Sequence, residues 1–162
     1  MLQEQIKKEM TESLKSGDQL KRLVLGTLLT AVKNRELTKR TQLSKTVTDT
    51  AELEKQSRLN DEEVLEVVSG EVKKRKDSIE QFKAGGRIDL AEKEEAEAKI
   101  LKAYLPEQLN EEEIKEEIKK AITELNAGGL KEMGKVIALV MSKLKGRADG
   151  SSVSRITKEL LG

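Results

Sequence analysis

Apolar residues in this chain recur every three or four positions and nowhere in sustained two-residue alternation, a period that α-helices alone can bury on one face. Leu2, Ile6, Met10 and Leu14 form the first stripe, which stops at Ser16-Gly17, where glycine can take a left-handed cap. Asp18 then stands as the cap of a second helix, apolar nearly all round through Leu20, Leu23, Val24, Leu25, Leu28, Leu29 and Val32. A helix of that kind belongs at the buried centre of a fold. Residues 41–59 are rich in Thr, Ser and Gln without a firm period, and are expected to form an irregular or frayed connection.

Two segments share one starting pattern, Leu59-Asn60-Asp61-Glu62-Glu63-Val64 and Leu109-Asn110-Glu111-Glu112-Glu113-Ile114. In each, Asn is the N-cap, Glu three residues on completes a capping box, and the flanking apolar pair forms a hydrophobic staple. Asp89 with Glu92 offers a third box. These acidic triplets are read as helix starts, since their spacing is what a helix start requires, and not as metal ligands or paired catalytic carboxylates.

Further helices are expected from Asp61 to about Lys83, ended by Gly85-Gly86, and from Leu90 to about Tyr104, stopped before Pro106. A fifth carries Ile114, Ile118, Ala121, Ile122 and Leu125 and ends near Gly128-Gly129. A sixth carries Met133, Ile137, Val140 and Leu144 and closes at Gly146, and a short last one carries Val153, Ile156 and Leu160. The fold class is therefore all-α. Pro106, the single proline, marks the boundary between an N-terminal bundle of longer helices (1–105) and a compact three-helix C-terminal subdomain (109–162).

Composition narrows the chemistry. Of 162 residues, 31 are basic and 30 acidic, and none is His, Cys or Trp. That removes the usual zinc sites, disulfides, the thiol nucleophile and any ready acid–base group near neutrality. Ser13, Ser78 and Ser154 lack a His partner, so no catalytic constellation is assigned, and no cofactor or metal is expected. Phe82 and Tyr104 are the only aromatics, too few for a base-stacking platform. The longest charge-free run, Leu23–Val32, is about half of what spans a bilayer, so no membrane association is expected. The order of residues after Met1 is not that of an export signal, and a cytoplasmic location is expected.

The net charge of +1 averages over blocks. Residues 15–45 hold eight basic against two acidic side chains, and 130–162 hold seven against three. Residues 50–71 hold seven acidic against two basic, and 106–129 seven against three. Within the basic surplus two stretches stand out. Lys73-Lys74-Arg75-Lys76 spreads four cations around a helix at about 100° steps. Arg75 falls on the apolar line of Val72 and Ile79, where it is expected to snorkel or to pair with a carboxylate of the following helix. Lys143-Leu144-Lys145-Gly146-Arg147-Ala148-Asp149-Gly150-Ser151 is a basic, glycine-bearing turn before a helix start. Such a turn can hold an anion on backbone N–H groups, though Asp149 or Ser151 as an ordinary cap accounts for most of it. It lacks the GxxxxGK[ST] spacing of a nucleotide loop.

Glu71-Val72-Lys73-Lys74-Arg75-Lys76-Asp77-Ser78-Ile79-Glu80-Gln81-Phe82, Ala84-Gly85-Gly86-Arg87, the stretch from Ile100 to Leu109, Met133-Gly134-Lys135-Val136 and Lys143–Gly150 resemble, in order and almost end to end, the YqeY-like proteins. That family shares its domain with the C-terminal tail of the GatB subunit of the glutamine-dependent tRNA amidotransferase, a helical tRNA-contacting appendage. Similar helical modules begin some glutaminyl-tRNA synthetases. The resemblance covers the tail and none of the catalytic body. It implies the helical fold, a connection with tRNA, and carbon–nitrogen ligase chemistry only by association. The expectation is a module that binds tRNA or a tRNA-handling complex through phosphate and shape contacts. Lys143, Lys145 and Arg147 come first as contacts, and Lys73, Lys74 and Lys76 second. The alternatives are a protein-interaction adaptor without RNA binding and an accessory to amidotransferase activity.

Overall fold

In the computed structural model, which describes residues 1–162, eight α-helices and one 3-10 turn follow one another without a strand. They are α1 (Leu2–Ser16), α2 (Gln19–Leu43), α3 (Thr50–Ser57), α4 (Asp61–Ala84), α5 (Ile88–Lys102), α6 (Glu111–Leu125), α7 (Met133–Leu144) and α8 (Gly150–Leu161), with the 3-10 turn at Leu130–Glu132. The chain divides into two compact units, Met1–Tyr104 and Leu105–Gly162.

Helix ends follow local chemistry. Gly17 sits at φ 76° after α1, and the Asp18 side chain accepts from the Lys21 N–H at the start of α2. Asn60 and Asn110 each form the full capping box, with Glu63 and Glu113. The third box does not form: α5 begins at Ile88 with Arg87 in the capping position, and Asp89 spends both carboxylate oxygens on the Arg87 guanidinium. That helix also ends at Lys102, before Tyr104. Part of 41–59 is regular as well. α2 runs on to Leu43, and Asp49 caps α3 by accepting from the Glu52 N–H at 2.7 Å. α6 stops at Leu125 because Asn126 takes the left-handed conformation (φ 49°), three turn residues ahead of the glycine pair's end at Gly129.

In the first unit α2 packs against α1, α3, α4 and α5. Its side chains Val24, Leu25, Leu28 and Val32 meet Ile6, Val64, Val68 and Leu101 in a core from which water is excluded. Each such buried side chain contributes about 1.5–3 kcal/mol relative to exposure. Ala91 and Ala98, seven residues apart on α5, keep that helix close to α4. Arg75 is buried, and its guanidinium pairs with Glu71 at 3.1 Å and with Glu97 of α5 at 3.2 Å. Leu14 and Leu23, read from periodicity as core, lie on the surface instead. A helix apolar on nearly every side carries more apolar area than its neighbours can cover.

The second unit is three helices and the 3-10 turn around Ile114, Ile118, Val136, Val140, Val153 and Ile156. Its helices carry single apolar stripes, buried except at Leu125, the end of the α6 stripe, which is exposed.

Candidate nucleic-acid interface

The basic turn between α7 and α8 is built from the end of one helix and the cap of the next. Lys143 lies in the last turn of α7, where a cation complements the negative end of the helix dipole. Lys145, and not Gly146, is the residue that closes the helix. Lys145 takes φ 44° and ψ 52°, and Gly146 follows at φ 82°. Two successive left-handed residues reverse the chain, and the Arg147 N–H closes the turn on the Leu144 carbonyl at 2.9 Å.

The segment entering α6 holds this turn from the other side. The Leu109 N–H donates to the Arg147 carbonyl at 2.8 Å, and Gln108 Nε2 donates to the Gly146 carbonyl at 2.8 Å. Arg147 Nε donates in return to the Glu107 carbonyl at 3.3 Å. The turn is therefore fixed at four points, and Lys145 and Arg147 are exposed upon it. Lys143 forms an ion pair with Glu124 of α6, which offsets its charge.

The backbone N–H groups at the start of α8 are already occupied. Asp149 Oδ1 accepts from the Ser151 and Ser152 N–H groups at 3.0 and 2.9 Å, and both serine hydroxyls donate to the same carboxylate. Of the two uses open to this turn, the cap is the one realised. Any anion meeting it does so through the Lys145 and Arg147 side chains.

The second basic stretch is divided by the helix period. Lys73 and Lys76 lie about 60° apart on one exposed face of α4, with Asp77 about 40° to the other side of Lys73. Lys74 points aside and pairs with Glu71 at 2.7 Å, on the carboxylate whose other oxygen receives Arg75. Lys73 forms no ion pair within 4 Å. The six cations thus fall into two groups on different units, and in each a lysine, Lys143 or Lys74, pairs with a neighbouring glutamate.

Other ionisable groups form structural pairs. Glu9 accepts from Lys21 at 2.8 Å, from Tyr104 at 2.7 Å and from Gln5 at 3.0 Å. These donors, Lys21 foremost, hold its carboxyl down at about 2, while burial and the Glu9 charge push the Tyr104 phenol up. No three carboxylates converge as a cation site, and no helix is long and apolar enough to cross a membrane.

Comparison with known proteins gives relatives in fungi. A Pyrenophora tritici-repentis protein named "Altered inheritance of mitochondria protein 41, mitochondrial" is 36% identical over 105 residues, covering 63% of this chain and 58% of that protein. A protein of the same name from Lachancea thermotolerans is 31% identical over 123 residues, covering 74% of this chain and 57% of its own. An uncharacterised Schizosaccharomyces pombe protein is 51% identical over 47 residues, 29% of this chain and 38% of that one. The chain spans about half the length of the curated relatives it matches. Their names overturn the expectation of a cytoplasmic location: these relatives are named as mitochondrial proteins. The family model described as Yqey-like protein matches residues 3–161, the span over which the sequence motifs lie in order, and the chain belongs to the YqeY-like protein family.

Proposed function

We propose that the chain is a helical module that binds tRNA, or a complex handling tRNA, through phosphate and shape contacts. The observation that carries this reading is the α7–α8 turn, on which Lys145 and Arg147 are exposed on a backbone held by hydrogen bonds from the α6 entry. A pre-organised pair of cations suits phosphate oxygens, and it needs no aromatic stacking, which this chain lacks. Lys73 and Lys76 on α4 are the second contact, and Lys143 and Lys74 contribute less because Glu124 and Glu71 offset them. The similarity of the family's domain to the GatB tail supports RNA as the polyanion. Amidotransferase chemistry has no residues to carry it here, so any link to it runs through association.

The test is fluorescence anisotropy with labelled total tRNA at two salt concentrations. Affinity is expected to fall steeply with salt, log Kd rising by about 0.9 per phosphate contact for each unit of log salt in duplex regions. Charge reversal at 145 and 147 is expected to weaken binding and reduce that slope. Absence of binding at low salt overturns the proposal. Binding unaffected by the reversals overturns the site alone.

A further inference from the structure

A groove of about 450 Å³ follows the seam of α1 and α2. Met10 and Gly26 form its floor, and Leu14 and Leu23 its walls. Both leucines are more than half exposed, at 59% and 58%. A Cβ at position 26 would stand at ordinary van der Waals distance, 3.9 Å, from the Met10 sulfur, which places the two residues side by side in the groove. Thr27 and Thr30 also line the groove, and their hydroxyls donate to the Leu23 and Gly26 carbonyls at 3.0 Å, so they place no polar demand on an occupant.

The only charged residue lining this groove is a cation. Arg22 stands at its edge and Lys15 follows Leu14, both exposed and neither in an ion pair within 4 Å. Beyond Met10 and Thr30 the same seam continues into a cleft of mixed charge, with Lys7, Lys33, Arg40 and Arg58 beside Glu4, Glu36 and Glu54. The carboxylates there are engaged, Glu4 by Lys7 at 3.0 Å, Glu36 by Lys33 at 3.3 Å and Glu54 by Arg58 at 3.7 Å, so the cations left over at the groove are those of its own edge.

This combination selects among occupants. Leucine walls give a phosphate backbone nothing to bind, which disfavours nucleic acid. A second copy docking by two-fold symmetry would set one cationic rim against another. An amphipathic helix with acidic flanks satisfies both the apolar floor and the charged rim. We propose that the α1–α2 groove docks such a helix from a partner protein, one with aliphatic or aromatic side chains at i, i+3 or i+4, and i+7, bordered by Asp and Glu. This surface uses none of the cations assigned to tRNA and does not depend on that reading.

The test is selection from a display library of helical peptides on the full chain, with a parallel selection on Leu14→Ser/Leu23→Ser. Circular dichroism and the melting temperature establish that the variant is folded, and Arg22→Glu serves as the second variant if it is not. Peptides enriched on the parent chain alone are expected to carry the apolar stripe and an excess of Asp and Glu. The most enriched peptide, labelled and titrated, is expected to bind the double-serine variant at least tenfold more weakly and Arg22→Glu severalfold more weakly. Equal enrichment on parent and variant, or enriched peptides without an acidic excess, overturns the proposal. So does displacement of the peptide by total tRNA, or a concentration-dependent dimer of the parent chain in sedimentation that the serine variant abolishes; these assign the groove to nucleic acid and to a second copy respectively.

Discussion

The Tyr104 hydroxyl donates to Glu9 Oε2 at 2.7 Å across 95 residues of chain, fastening the last residue of the first unit to its first helix. The same carboxylate receives Lys21 Nζ from α2, so one glutamate joins three parts of the bundle. Tyr104→Phe removes the hydroxyl and keeps the ring. It is expected to destabilise the chain by about 1 kcal/mol, read as a lower urea midpoint with an unchanged m-value.

The pH dependence follows from the same group. Glu9 titrates at about 2 in the folded chain against an ordinary 4.5, with Lys21 the leading cause. A folded pKa below the unfolded one stabilises fully above about pH 4.5, and the contribution is lost as pH falls towards 2. Urea midpoints measured across that window are expected to fall with pH. Lys21→Met is expected to flatten the fall.

Arg75 is the one cation of the α4 basic run that the core has taken in. Its guanidinium lies between Glu71 and Glu97, while its Nε has no partner. Arg75→Ala takes the shared cation from the buried Glu71 and the partly buried Glu97. The expected loss is about 3–5 kcal/mol, visible in thermal or urea unfolding. Lys73→Ala, two residues away on the exposed face, is expected to leave unfolding unchanged.

Lys145 separates fold from function in one position. Its left-handed backbone disfavours any residue with a Cβ, so Lys145→Gly is expected to raise stability by up to about 1 kcal/mol. The same substitution removes a proposed phosphate contact. Higher melting temperature with weaker tRNA binding is the expected pair of results, and calorimetry with anisotropy reads both.

The capping boxes give a further contrast. Asn110→Ala removes a side chain that accepts from the Glu113 N–H at 3.0 Å, and is expected to cost about 1 kcal/mol. Asp89→Ala is expected to lower the melting temperature less, at the level of an exposed ion pair, since Asp89 is not the cap of α5 and its ion pair with Arg87 lies on the surface.

Sequence by itself determined the helical class and the position of most helix ends. Both are short-range matters, and a cap is decided within four residues. For Arg75 it offered two fates, snorkelling or a carboxylate partner, and the packing of α5 on α4 chose the second. Family membership was also legible, because its motifs are contiguous. Tertiary structure alone decided which apolar residues stay outside. Leu14 and Leu23 belong to stripes as regular as those of Ile6 and Leu25, and only the number of neighbours around α2 leaves the first two exposed. It also decided which cations meet a carboxylate. Lys143 and Lys74 read like Lys73, yet Glu124 on another helix and Glu71 one turn away offset them. Linear patterns record what a residue can bury or pair with; packing decides which of those partners arrive.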